Sequence, residues 1–248
     1  MDLKLKEKFL EKWQKYFGNS ELPVTMYYTD KPIDVGFAGQ KKWSCIIADI
    51  KAVRKGKSLC FHEGIANCGG AKRYLGYVHE FGPQFKYFLS CGIEGELEGE
   101  RYLKTPELVE EAMKKMPKFK APAKYAVFKR WDNLDVEDTP EVIIFFAKPD
   151  VLSGLFTLVN FDEAEANSVY TPFGSGCGTI ITYPYLERDK ERPRAVIGMF
   201  DVSARPCVEK NVLTFAVPFN RFVQMIDNMD ESFLITESWE KVRGRMSK

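Results

Sequence analysis

"EVIIFFAKPDVLSGLFTLVNF", residues 141–161, decides the fold class. Its first part, EVIIFFAKP, is a β-branched and aromatic run that reads as a strand, and the remainder, DVLSGLFTLVNF, reads as a helix entered directly from the proline. The same alternation extends in both directions. Upstream, PVTMYYTD (23–30) is a strand ended by Asp30 and Pro32, WSCIIADIKAVRKGK (43–57) a helix with Ser44 as candidate cap, and SLCFHE (58–63) a second strand. NCGGAKRYLGYV (67–78) opens a helix or turn, and TPELVEEAMKKM (105–116) is a helix. Beyond it, YAVFKRW (125–131), RAVIGMFDV (194–202) and LTFAVPF (213–219) read as strands and NRFVQMIDNM (220–229) as a helix; GCGTIITYPYL (176–186) opens with glycines and is of undecided type. At the start of the chain, Leu5, Phe9, Leu10, Trp13, Tyr16 and Phe17 recur at helical spacing until Gly18. Strands alternating with helices predict an α/β to α+β fold, a mixed sheet with flanking helices.

The Pro-containing connector at 117–123 divides an N-terminal α/β half with its amphipathic leading helix, 1–120, from a C-terminal α/β half, 121–248, within one compact unit. The halves invite comparison. PVTMYYTDKP, then Cys45 in CIIADI, then SLCFHEGIANC, has a rough counterpart in EVIIFFAKPD, then Cys177 in CGTIIT, then IGMFDVSARPC. The interval from Phe61 to Cys68 equals that from Phe200 to Cys207. An internal duplication would pair Cys45 with Cys177 and Cys68 with Cys207 across a pseudo-twofold axis.

Composition narrows the function classes. Lys and Arg number 36 and Asp and Glu 35, a net charge of +1 with both signs mixed along the chain, so there is no electrostatic footprint for nucleic acid. The N-terminal MDLKLKEKFLEKWQKYFG is too charged for a signal peptide, and no apolar run approaches the roughly 20 residues of a membrane span. A cytoplasmic protein is expected, and with it reduced thiols at all six cysteines.

LCFHEGIANCGGAKRYLG (59–76) carries the densest chemistry. In a strand, alternation puts Cys60 and His62 on one face, and Cys68 a few residues on is a third donor. Cys45, Cys60, His62, Cys68 and Cys177 are therefore the candidate metal ligands, for zinc or an iron-sulfur cluster. No paired C-x-x-C supports the assignment, and burial as structural cysteine is the alternative. At Gly69 and Gly70 the backbone can approach an anion, with Lys72 or Arg73 adding charge, or it makes an ordinary turn. Gly174, Gly176 and Gly178 around Ser175 and Cys177 suit an anion nest. Asp201 and Arg205 either orient a polar ligand or form a salt bridge at a turn. No histidine lies C-terminal to His79, which weakens a hydrolase reading.

Five segments in order, NCGGAKRYLG, KPDVL, FGSGCGTI, IGMFDVSAR and FAVPFNRF, resemble the uncharacterised prokaryotic family known as domain of unknown function 169. The likeness spans most of the chain. It implies no established activity and no catalytic residues; it marks Cys45, Cys68, Gly69, Gly70, Pro149, Asp150, Cys177, Asp201 and Arg205 as matching the recurrent pattern. The expected function is binding of a thiolate-ligated metal centre or an anionic small molecule in a cleft between two halves. A thiol-dependent enzyme with a low-pKa cysteine and a non-catalytic interaction protein are the alternatives, and the sequence indicates no oligomeric state.

Overall fold

A computed structural model describes residues 1–31, 36–37, 45–64 and 68–246; Ser44, the candidate helix cap, lies outside them. The first half of the chain gives α1 (Leu3–Phe17), β1 (Val24–Thr29), β2 (Gly36–Phe37), α2 (Ile46–Arg54), β3 (Leu59–Phe61), α3 (Gly69–Tyr74), α4 (Phe85–Phe88), α5 (Pro106–Lys115) and β4 (Tyr125–Arg130). The second gives β5 (Val142–Ala147), α6 (Pro149–Val159), β6 (Val169–Tyr170), α7 (Gly176–Ile180), α8 (Thr182–Glu187), β7 (Ala195–Gly198), a 3-10 turn (Arg205–Cys207), β8 (Leu213–Pro218), α9 (Phe219–Asn228) and α10 (Glu237–Met246). The boundaries follow local chemistry. Asp2 caps α1 by accepting from the Lys4 amide, and Gly18 at φ 60° stops it. Thr105 caps α5, with Pro106 in the first turn, where no amide donor is needed. The glycine-opened segment of undecided type is helical, as α7 and α8.

All eight strands form one sheet in the order β2-β3-β4-β1-β5-β8-β7-β6. The 117–123 connector leads into β4, which pairs with β3 and β1 and with no strand of β5–β8, so the topological halves divide after β4 rather than at residue 120. Exchanging β1–β4 for β5–β8 and reading from the other edge gives the same order. The pairing directions agree as well: β2 with β3 and β6 with β7 are parallel, and the remaining neighbours are antiparallel. At the centre β1 meets β5, Val24 opposite Ile144 and Thr25 opposite Ile143. The chain therefore repeats one four-strand topology about a pseudo-twofold axis between β1 and β5.

Every residue of β5 is buried, because both faces of the sheet are covered. One face packs Val24, Met26, Phe128, Ile144 and Ala216 under Ile46, Ile47 and Ile50 of α2, Tyr74 of α3, and Ile180 of α7. The other packs Ile143, Phe145, Phe215 and Val217 under Phe9 and Trp13 of α1, Leu155 of α6, Phe222 of α9 and Trp239 of α10. Fully burying each such aliphatic or aromatic side chain contributes about 1.5–3 kcal/mol, so two filled layers rather than any single contact hold the sheet. Trp13 stacks on Phe17 with centroids 4.2 Å apart. Among the described residues, no helix is long and apolar enough to cross a membrane.

Candidate functional site

Four elements that occupy corresponding places in the two halves pack together on the α2 face. α2 follows β2 and α7 follows β6; α3 follows β3 and the 205–207 turn follows β7. α2 packs against α7 and against the 205–207 turn, while α3 packs against α7. Each of these elements carries a cysteine at or near one end. Cys45 is the N-cap of α2, Cys68 the N-cap of α3, Cys177 lies in the first turn of α7, and Cys207 closes the 3-10 turn.

The thiols share one neighbourhood. A β-carbon on Gly70 would stand 3.6 Å from Cys68 Sγ and 3.9 Å from Cys177 Sγ. Cys45 interacts electrostatically with Cys207 and Cys68, and Cys177 with Cys68 and Cys45. Burial dominates the chemistry of Cys45 and Cys177. It pushes the Cys45 thiol up to about 11, against hydrogen bonding from the Ile47 and Ala48 amides, which favours thiolate. Cys177 is driven well above the ordinary thiol range by burial, with Ser175 Oγ 3.3 Å away acting in the opposite sense. Cys60, Cys68, Cys91, Cys177 and Cys207 are free thiols. Among the described residues, no group of three or more His, Cys, Asp or Glu side chains is drawn together tightly enough to hold a metal ion as it stands.

Cys207 belongs to this set although only the equal Phe61–Cys68 and Phe200–Cys207 intervals pointed to it. Cys60 and His62 do not belong to it. Cys60 faces the opposite side of the sheet, packed with Tyr27 and Val127, and burial pushes its thiol up to about 11. His62 Nδ1 accepts from the Gly64 amide at 3.1 Å, its ring meets Tyr125 edge-on, and burial followed by Lys124 lowers its pKa. The two share a face with each other, as alternation predicts, but not with Cys68.

The glycines of α7 serve packing first. A β-carbon on Gly178 would stand 2.8 Å from the Tyr74 ring, and one on Gly176 would be 3.2 Å from Met199 Sδ. Their amides already have acceptors: Gly178 N donates to Ser175 Oγ at 3.2 Å and Gly176 N to Asp201 Oδ2 at 2.9 Å. The anion at this loop is thus the chain's own Asp201. Its other oxygen accepts from Tyr102 Oη at 3.1 Å and from Ser203 N and Oγ at 3.2 and 2.9 Å. Arg205, expected to act with Asp201, instead donates to the carbonyls of Val212, Lys210 and Glu209 at 2.5, 2.8 and 3.1 Å and pins the loop before β8. Gly174 lies against Tyr183, and among the described residues no atom beyond its own chain neighbours and helix backbone stands within 4 Å of a β-carbon on Gly69. Tyr102 and Met199, the latter with φ 71° in the left-handed region, are neighbours that sequence reading missed.

A family model described as DUF169, Uncharacterised ArCR, matches residues 13–228. No curated protein and no solved structure matches the chain.

Proposed function

Because the chain belongs to the DUF169 family, whose description assigns no activity, we propose from the site that the protein binds a thiolate-ligated metal centre held by Cys45, Cys68, Cys177 and Cys207. One observation carries the proposal. Four cysteines from four separate elements, two from each topological half, are electrostatic neighbours of one another, and the side-chain position of Gly70 lies within 4 Å of both Cys68 and Cys177 sulfurs. Soft all-thiolate donor sets select zinc or iron-sulfur clusters.

The protonation chemistry favours a metal over a nucleophile. Burial raises the Cys45 and Cys177 thiols above the ordinary range and so disfavours either of them as a resting thiolate nucleophile. A bound metal removes those protons outright, and the charge that burial opposes is then compensated by the cation. Ligation draws the thiols inward from their present spacing, with Cys45 and Cys68 at element ends rather than inside a packed helix. An anionic ligand at the α7 loop is less favoured, since Asp201 and Ser175 already take its amides. The two halves act as one unit around the shared site, and a thiolate-rich site of this kind suits a reducing cytoplasm. The near-balanced charge supports a small-molecule or metal ligand rather than nucleic acid.

Metal analysis of the anaerobically purified full chain tests the proposal. About one centre per chain, zinc or iron with sulfide, is expected, and it should be lost in the Cys45→Ser, Cys177→Ser double variant. Colourless protein with no zinc, iron or sulfide would exclude it.

A further inference from the structure

Arg73, in α3, carries a buried positive charge that no carboxylate among the described residues pairs with. It is 3% exposed. Its Nη2 donates to the Pro117 carbonyl at 2.9 Å, whereas Nη1 is buried with no hydrogen-bond partner. Two other buried arginines are treated differently: Arg54 is paired with Glu21 and Glu209, and Arg221 with Asp162. Among the described residues no carboxylate plays that part for Arg73, and its aromatic neighbour, Phe81, is 6.0 Å from the guanidinium carbon. An unpaired buried ion is unfavourable, and an external anion at this place would relieve the penalty.

Its surroundings connect it to the thiol site. Tyr74 and Tyr183 both sense the Arg73 charge; Tyr74 packs on Gly178, beside Cys177, and Tyr183 lies against the half-buried Gly174. We propose that Arg73 binds the carboxylate of a small-molecule ligand, flanked by the aromatic rings of Tyr74, Phe81 and Tyr183 and adjacent to the thiol cluster. A carboxylate fits better than a phosphate. One negative charge balances one guanidinium, and one unfilled nitrogen is matched by a planar anion, whereas a phosphate dianion would leave net charge and unsatisfied oxygens in a buried space. The site rests on Arg73 alone and stands whether or not the thiols hold a metal.

Thermal unfolding of the chelator-treated full chain, titrated with sodium acetate and sodium benzoate against sodium chloride and inorganic phosphate at matched ionic strength, tests this. A saturable rise in Tm with carboxylate is expected, stronger for benzoate because of the aromatic walls, absent with chloride and absent in Arg73→Met. Arg73→Lys keeps the charge but loses the planar fork and should bind at least tenfold more weakly. No saturable carboxylate response, a saturable response to phosphate in its place, or an Arg73→Met response equal to wild type would each overturn the site. Should Arg73→Met fail to fold, Arg73→Lys with wild-type affinity would overturn it as well.

Discussion

Cys68 and Cys177, which belong to different halves of the chain, hold their sulfurs within 4 Å of the point that a β-carbon on Gly70 would occupy. The space between two thiols is thus kept open by the absence of one methyl group. Gly70 has neither a positive φ nor a backbone clash to require a glycine there, and the atoms nearest its β-carbon position are the two sulfurs.

Gly70→Ala follows directly. The added methyl would stand at ordinary van der Waals distance from both sulfurs, and alanine in a helix gains about 0.5–1 kcal/mol over glycine. The variant should therefore fold with unchanged or slightly raised Tm, yet take up metal at least tenfold more weakly. Equal uptake, measured alongside thermal unfolding, would place the metal elsewhere.

Gly154, in α6, tests the opposite side of the sheet. A β-carbon there would be 2.4 Å from Trp239 Cη2 and 2.8 Å from a Phe17 ring carbon, both buried. Gly154→Ala should destabilise the fold by about 1–3 kcal/mol through overpacking, despite the better helix propensity of alanine. Denaturant unfolding with an unchanged m-value would register it; a stabilised variant would mean that α10 is not docked on α6.

Asp230 supplies an acid-side pH dependence. Hydrogen bonds from Lys12 Nζ, then Tyr16 Oη and Lys15 Nζ, hold its carboxyl well below the usual range. A depressed folded pKa contributes stability above the unfolded value of about 3.9, and that contribution is lost as pH falls through and below it. Wild-type stability should decline more steeply than that of Asp230→Asn between about pH 5 and pH 2. Because the group is half-exposed the difference should shrink in high salt; parallel pH profiles would show that these contacts do not persist in solution.

The fold was legible where burial leaves a simple pattern. The β-branched run 142–147 is buried on both faces and is flanked by a proline-started helix, so strand and helix could be read without tertiary information. The repeat was legible only in outline, through intervals between Phe and Cys, because the topology that proves equivalent uses strands as short as Gly36–Phe37 and Val169–Tyr170. Helix α10 gave little signal: it is mostly polar and buries Trp239, whose place is made by Gly154 more than eighty residues earlier. The α7 glycines could not be assigned from sequence, since close approach to a neighbouring side chain and cradling of an anion both demand a missing β-carbon. Likewise, alternation placed Cys60 with His62 but could not tell which face of the sheet the other cysteines would occupy.

Cobalt(II) titration of the reduced, metal-free full chain under anaerobic conditions tests the four-thiol site most directly. Binding through Cys45, Cys68, Cys177 and Cys207 predicts thiolate-to-cobalt charge-transfer absorption that saturates near one equivalent, visible bands of tetrahedral geometry, and stepwise loss of intensity as each cysteine becomes serine, with Cys60→Ser unchanged. A titration without charge-transfer absorption, or one whose intensity is indifferent to Cys45 and Cys177, would contradict a metal centre on the pseudo-twofold axis.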